Sequence, residues 1–244
     1  MKNTLSLVSG FAITLLASLP VYGEGSAAPK ETPVGSKPLG IAFSVKMVGP
    51  YMQAADLQII CAFKHKASGD TYQGAMKDSD AKLGGMISSL RNRGEFVGEL
   101  GETFLFTPPK DSIPASRFLI IGLGDESALS VDTLRVVGRV AAREAVRLKA
   151  KRVAWAPVIR DEGNSTIDVG EGDRAFVESA LSAYDTEQRL QAQGLAQKFA
   201  ISEWVIEAGP TYFDSAVQEI SKGIEATLPT LSKRDTAPYS TLTK

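Results

Sequence analysis

The segment Phe118-Leu119-Ile120-Ile121-Gly122-Leu123-Gly124-Asp125 determines the fold class that this sequence predicts. Four successive apolar residues without alternation are typical of a strand that is covered on both faces, as in a parallel sheet. The two glycines indicate a tight turn, and residues 131–148 then have the periodicity of an amphipathic helix with Ser130 as its N-cap. A strand, a turn and a helix in this order are the building unit of α/β domains.

The same alternation of short and long periodic segments continues on both sides. Strands are predicted over residues 40–46, 57–64, 102–107, 117–122 and 152–159, and helices over 78–93, 131–148, 172–193 and 212–228. We therefore expect a single α/β domain with a mixed sheet between helices and a C-terminal amphipathic helix. Pro229 is expected to end that helix, and Gly84-Gly85 is expected to mark close packing against another backbone.

The two ends of the chain depart from this pattern. Residues 1–23 combine Lys2, an apolar stretch and small residues near Gly23, as in a cleaved secretory signal peptide. We expect a periplasmic or secreted protein with no membrane association after cleavage, and an uncleaved N-terminal anchor is the alternative. Residues 24–38 are expected to form a flexible leader, and residues 232–244 a polar tail.

The composition excludes several functional classes. With 244 residues and a net charge of −1, the chain has no overall field that attracts nucleic acid, so no nucleic-acid partner is expected. It contains one His and one Cys, so hydrolytic triads and dyads would all have to use His65, which we interpret as an inert surface side chain. We predict no catalytic residue, no metal ligand and no cofactor.

The Gly122-Leu123-Gly124 turn is the candidate anion site. Backbone N–H groups between a strand and a helix can bind a phosphate, and Ser127 stands where a dinucleotide fingerprint has its third glycine. The alternative is a tight turn with no ligand. Acidic, glycine-rich loops between Asp161 and Asp173 could hold a hard cation, but helix N-terminal acids explain them without a metal.

Two surfaces are candidate interfaces. The first is a helix face with arginines at four-residue steps, namely Arg135, Arg139, Arg143 and Arg147. Like charges at this spacing repel, so acids of the fold, a partner subunit or a phosphate-bearing ligand should lie beside them. The second is the apolar stripe of the last helix, which needs cover from the core or from a second copy and contains Phe213, Val217, Ile220 and Ile224.

Several segments in a fixed order resemble the N-terminal domain of the leucine aminopeptidases, the cytosol aminopeptidase family. They are Leu83-Gly84-Gly85, the run from Leu90 to Gly98, Gly101-Glu102-Thr103, the strand ending at Gly124, and the helix with Leu134-Arg135 and Gly138-Arg139. The resemblance covers residues 39–231, with a domain over 39–200 and a linker-type helix region over 201–231. It implies a macro-domain-like mixed sheet and a contribution to subunit assembly.

In that family the peptidase chemistry lies in a C-terminal domain, whose Asn-Thr-Asp-Ala-Glu-Gly-Arg run this sequence does not contain. The resemblance therefore implies no catalytic residue here. We expect a non-catalytic binding or assembly domain that self-associates or binds a protein partner. Two alternatives are a module that binds a nucleotide or ADP-ribose at residues 122–127, and the regulatory half of a split metallo-aminopeptidase.

Overall fold

The most apolar runs of the sequence form the centre of a seven-stranded mixed sheet in the computed structural model, which describes residues 28–234. The strands are β1 (Glu31–Val34), β2 (Ala42–Lys46), β3 (Leu57–Ala62), β4 (Thr103–Phe106), β5 (Phe118–Gly122), β6 (Arg152–Ala156) and β7 (Glu203–Glu207). Their order is β1-β2-β7-β6-β3-β5-β4. The five inner strands are parallel, and β1 and β4 are antiparallel edges.

Five α-helices cover the sheet: α1 (Gly74–Lys82), α2 (Met86–Asn92), α3 (Val131–Arg147), α4 (Val169–Ala192) and α5 (Phe213–Ser232). Helix α3 begins as the sequence predicts, because Ser130 and Thr133 cap each other's backbone N–H groups reciprocally. Asp168 is the N-cap of helix α4, and its carboxylate accepts a hydrogen bond from the Glu171 amide at 3.0 Å.

The two faces of the sheet bury separate apolar clusters. Helices α3, α4 and α5 cover the larger cluster, in which the Trp155 and Phe176 rings stack at 4.1 Å. Helices α1 and α2 cover the smaller cluster, which contains Ile60, Ile120 and Met76. Strand residues alternate between the two clusters, as the pleat of a sheet requires. The prediction of a mixed α/β sheet between helices is confirmed.

The glycine pair of the first predicted helix separates two helices. Gly84 and Gly85 have φ values of +69° and +76°, which L residues with a side chain rarely adopt. Space around both positions is open, since nothing lies within 4 Å of a Cβ built there. The expectation of a single helix over 78–93 with close backbone packing is therefore wrong, because backbone conformation requires the glycines.

Two strands lie where the sequence predicts other structure. Strand β1 falls within the expected flexible leader and pairs with β2, and Pro33 is tolerated there because β1 is an edge strand. Strand β7 falls at the start of the expected linker-type region and lies between β2 and β6. Strand β7 thus completes the sheet, and the domain extends beyond its predicted end at residue 200.

Helix α5 continues through Pro229 to Ser232, so the prediction that Pro229 ends it is wrong. Pro229 lacks the N–H that would bond to the carbonyl of residue 225, but only three helical residues follow it, so the disruption is confined to the helix end. The Arg189 guanidinium donates to the Leu231 carbonyl at 3.0 Å and supports that turn. Ser232 belongs to α5 rather than to a polar tail, while residues 235–244 and the predicted signal at 1–23 lie outside the described residues.

Among residues 28–234, no helix has both the length and the apolar character that a membrane span needs.

Candidate functional site

The backbone donors of the Gly122-Leu123-Gly124 turn are all used within the protein. Gly122 donates to the Glu102 carbonyl at 2.8 Å, Leu123 to Ala62 at 2.8 Å and Gly124 to Gly98 at 2.9 Å. A Cβ at Gly122 would lie 2.0 Å from the Glu99 carbonyl oxygen, so glycine is needed for the close approach of loop 98–102. The N–H groups of Gly122 and Gly124 bind this loop and that of Leu123 binds β3, which speaks against the predicted anion site of Gly122, Gly124 and Ser127.

Ser127 lies at the edge of an open cleft of about 750 Å³ that follows β3 and β5. The cations of this cleft are already neutralised: Lys64 pairs with Glu99 at 2.6 Å and Lys66 with Glu126 at 2.7 Å. Both lysines therefore have a carboxylate partner, although exposed pairs of this kind contribute little stability.

His65 lines the same cleft but is half-buried in a hydrogen-bonded cluster, so it is not the isolated surface side chain that the sequence predicts. Its Nδ1 lies 2.9 Å from Asp70 Oδ2, and the Tyr72 hydroxyl donates to the same oxygen at 3.1 Å. The buried Arg91 guanidinium also binds Asp70 and donates to the Phe63 carbonyl at 2.7 Å. The cluster fixes the orientation of the imidazole.

The electrostatics of this cluster centre on Asp70. Burial alone would raise the pKa of Asp70, but hydrogen bonds from Arg91 and His65 outweigh burial and hold that pKa below its usual range. Asp70 is therefore ionised throughout the neutral range. It orients His65 and neutralises Arg91, whose side chain is 1% exposed.

A second cleft, of about 430 Å³, opens where β2, β6 and β7 end, and we call it the β7 cleft. In α/β sheets, ligands bind at the carboxyl ends of parallel strands, and pockets of this volume are typical ligand sites. Loop residues 47–52, the start of α1 and residues 207–212 form its walls. Its charged lining residues are Asp78, Arg160, Asp161 and Glu207.

The charged groups that line the β7 cleft differ in their hydrogen bonds to the rest of the protein. Asp161 accepts the Met76 amide at 2.9 Å at the start of α1, and both Arg160 Nη atoms donate to backbone carbonyls, at 2.7 Å and 2.5 Å. Glu207 is 3% exposed, and neither of its carboxylate oxygens meets the geometry of a hydrogen bond with a described residue. Burial raises the pKa of Glu207 to about 8, which the nearby Gln58 amide only partly offsets.

The arginine face of α3 is only half neutralised inside the fold. Arg135 pairs with Asp132 at 2.6 Å, and Arg147 pairs with Glu144. Within the described part of the chain, Arg139 and Arg143 have neither an ion pair nor a hydrogen bond. Arg135 and Arg139 line a groove of about 400 Å³ between α3, α4 and α5, together with Glu178, Ser182, Thr227 and Thr230.

The apolar stripe of α5 is not a free surface. Phe213, Ile220 and Ile224 are each at most 1% exposed and belong to the larger core cluster, and Val217 packs against it half-buried. Their assignment as interface candidates is therefore wrong. The helix folds back onto α4 and β2, which supplies the cover that the stripe needs.

Comparison with known proteins decides the family. The N-terminal domain of the cytosol aminopeptidase family matches residues 59–193, which is more than half of the chain. The chain belongs to this family. A probable cytosol aminopeptidase of Alkaliphilus oremlandii is 30% identical over 131 residues, which is 52% of this chain and 26% of that protein. Its counterpart in Thermosynechococcus vestitus is 28% identical over 119 residues, 49% of this chain and 23% of that protein.

The chain thus spans about a quarter of the length of these curated relatives. Solved structures agree on the fold. A tomato leucine aminopeptidase mutant has a TM-score of 0.55 at 19% identity, covering 83% of this chain and 37% of that chain. An Oceanobacillus iheyensis macrodomain solved with ADP has a TM-score of 0.59 at 9% identity, covering 82% of this chain and 100% of that chain. The macro-domain-like fold is confirmed.

The region that matches the cytosol aminopeptidase family contains only part of the candidate sites. It runs from β3 to the end of α4, so it includes the Asp70 cluster and the arginine face but ends before β7. Within residues 28–234, no group of three or more His, Cys, Asp or Glu side chains is placed to hold a metal ion.

Proposed function

We propose that this member of the cytosol aminopeptidase family is exported and acts as a non-catalytic binding and assembly domain, with helix α3 as its interface. One observation carries the proposal: Arg139 and Arg143 have no counter-charge among the described residues, although Arg135 and Arg147, on the same face, are paired. The match to an N-terminal domain of the family supports a role outside the peptidase chemistry.

The physical argument concerns repulsion on one helix face. Cations four residues apart on a helix destabilise each other, and an opposing acidic surface would remove this cost. An interface also excludes water, which strengthens the attraction between opposite charges. The opposing surface belongs to a second copy of this chain or to an acidic partner chain, and a separately encoded peptidase half of the family is one such partner.

The test is light scattering coupled to size-exclusion chromatography of the expressed full chain. Arg139→Glu/Arg143→Glu is compared with Lys110→Glu/Lys198→Glu, a control with the same charge change at two exposed lysines that have no described ion pair. We expect an oligomer that the arginine variant dissociates and the lysine variant preserves. If the arginine variant keeps the oligomer, α3 is not the interface.

The proposal also covers the partner-chain case and export. If the wild-type chain is a monomer, capture of a cytosol aminopeptidase catalytic chain by the wild type and not by the arginine variant supports the same interface; no capture contradicts it. Mass spectrometry of the purified protein reports its first residue, which we expect to be Glu24. Retention of residues 1–23 would contradict a cleaved signal peptide.

The alternative is a nucleotide or ADP-ribose ligand, as in the macrodomains solved with ADP or ADPR. The position and volume of the β7 cleft favour a small ligand there. The charges do not favour a diphosphate, since three carboxyl groups line the cleft and Arg160 already binds two carbonyls. We expect ADP-ribose to leave the thermal midpoint of unfolding unchanged, and a saturable rise would restore this alternative.

A further inference from the structure

We propose that strand β4 pairs with β4 of a second copy of this chain, antiparallel and about a two-fold axis at Leu105, so that two sheets join into one. This contact goes beyond the interface proposed on α3 and uses a different element of the fold. It rests on the free edge of β4, on the direction of its backbone groups and on the symmetry of its sequence.

Strand β4 is an edge strand without the features that normally protect an edge. Among the described strands it pairs with β5 alone and ends the sheet. Edge strands expose unpaired N–H and C=O groups, and folds usually protect them with charged side chains or prolines. The opposite edge, β1, contains Glu31 and Pro33, whereas residues 103–107 contain no charged residue and no proline. Strand β4 is therefore open to pairing with another strand.

The hydrogen bonds between β4 and β5 show which backbone groups are directed to the free edge. Gly122 of β5 donates to the Glu102 carbonyl at 2.8 Å, so the backbone of residue 102 faces β5. Backbone groups of successive strand residues point to alternate sides, so those of Phe104 and Phe106 also face β5. The residues whose backbone groups face the free edge are Thr103, Leu105 and Thr107.

The sequence of this edge is a palindrome, Thr103-Phe104-Leu105-Phe106-Thr107. In two antiparallel copies centred on Leu105, Leu105 lies opposite Leu105, Thr103 opposite Thr107 and Phe104 opposite Phe106. The three residues that face the free edge then form hydrogen-bonded pairs, with about six backbone hydrogen bonds in all. A two-fold contact needs a self-complementary surface, which the palindrome supplies, so the partner that fits this edge is a second copy.

The side chains of β4 also match across this axis. Phe104 and Phe106 are half-buried against the smaller core cluster, with their ring centroids 6.2 Å apart. Pairing places Phe104 beside Phe106 of the second copy and continues this aromatic row, a favourable cross-strand contact. Leu105 is 37% exposed on the other face of the sheet, and pairing brings it beside Leu105 of the second copy. No like charges oppose each other in this register.

Light scattering coupled to size-exclusion chromatography tests the contact in the Arg139→Glu/Arg143→Glu background, where the proposed α3 interface is removed. We expect a dimer in this background. Adding Leu105→Lys should give a monomer, because two ammonium groups would face each other at the two-fold axis. Leu195→Lys is the matched control, the same substitution at a leucine that is 46% exposed outside β4, and should preserve the dimer.

Cysteine cross-linking in the otherwise wild-type chain tests the register. Leu105→Cys should form a disulfide dimer on oxidation, because residues opposite each other in adjacent strands have Cα atoms within disulfide range. Thr103→Cys is the matched control: the two copies of residue 103 would lie about 13 Å apart, too far for a disulfide. Cys61 is buried and should form no cross-link in either variant. Non-reducing electrophoresis measures the cross-linked fraction.

Three results would overturn the proposal: a monomer in the arginine background, a dimer that persists in a folded Leu105→Lys, or no more cross-linking of Leu105→Cys than of Thr103→Cys. If Leu105→Lys does not fold, the two cysteine variants decide. Failure of the α3 proposal is distinct, because the wild type and the arginine variant would then have the same molar mass.

Discussion

Replacing Asp173 by Asn should remove a large part of the pH dependence of this protein's stability. Asp173 lies near the start of α4, is 1% exposed, and has no hydrogen bond of normal geometry to a described residue. Burial raises the pKa of Asp173 from 3.8 to about 8, and the indole of Trp155 only partly counters that effect. The folded protein therefore holds this carboxyl group neutral at pH 7.

The size of the effect follows from proton linkage. Between the unfolded pKa of 3.8 and the folded pKa of about 8, the folded state binds one more proton than the unfolded state. The free energy of unfolding then falls as pH rises, by up to about 1.4 kcal/mol per pH unit from this group alone. Above about pH 8 both states are ionised, and the contribution levels off.

Asn does not titrate, so Asp173→Asn should lose this slope while matching the wild type near pH 4. Its advantage should grow to at most about 4 kcal/mol at pH 7. Urea unfolding at pH 5, 6 and 7, followed by the fluorescence of the buried Trp155 and Trp204, measures the slopes directly. Asp125→Asn, at an exposed position, is the control and should keep the wild-type slope. Equal slopes in Asp173→Asn and the wild type would show that Asp173 is already ionised in the folded state.

Two further predictions concern packing and the buried ion pair. Gly138→Ala places a methyl group 2.3 Å from a carbonyl oxygen of α4, so it should lower the free energy of unfolding by about 1–3 kcal/mol in urea unfolding. Gly209→Ala is the control: open space surrounds Gly209, so the free energy of unfolding should change by less than about 0.5 kcal/mol. Asp70→Ala leaves Arg91 buried without its partner and should lower the free energy of unfolding by about 3–5 kcal/mol. Asp214→Ala removes one partner of an exposed pair and should lower it by less than about 1 kcal/mol. Equal losses in the two variants would contradict a buried ion pair.

The sequence pattern was sufficient to predict those elements that depend on residues close together in the chain. The uninterrupted apolar run of β5 predicts a strand with both faces covered, and the structure places β5 as a fully buried inner strand between β3 and the edge strand β4. Ser130 predicts the start of α3 because the cap depends on a residue only three positions away. These interactions are local, so a single sequence contains the information.

Elements defined by long-range pairing were not predictable in this way. Strand β7 has three apolar residues between Glu203 and Glu207, a run too short to distinguish from a turn of helix, and its position depends on pairing with β2 and β6. The glycine pair at 84–85 is equally ambiguous, because close packing and a positive φ both require glycine. Only the three-dimensional structure shows which reason applies.

The candidate sites depend even more on topology. Asp70 and Arg91 are 21 residues apart in sequence, and nothing around either residue indicates that they meet. Glu207 and Gln58 lie on strands separated by β6 in the sheet. Arginines at four-residue steps were visible in the sequence, and the pairs of Arg135 and Arg147 are with acids three residues away on α3. The contact of Arg135 with Glu178 was not predictable, because it depends on how α4 packs beside α3.

The carboxyl ends of the parallel strands differ in how far the rest of the protein covers them. After β5, loop 98–102 accepts the backbone hydrogen bonds of Gly122 and Gly124, and Ala62 of β3 accepts that of Leu123, so all three donors of the turn bind the protein's own carbonyls. After β2, β6 and β7, the β7 cleft lies open, and Asp78, Arg160 and Asp161 are among the residues that line it. Similarity of fold to macrodomains is therefore not by itself evidence of a phosphate site in this chain.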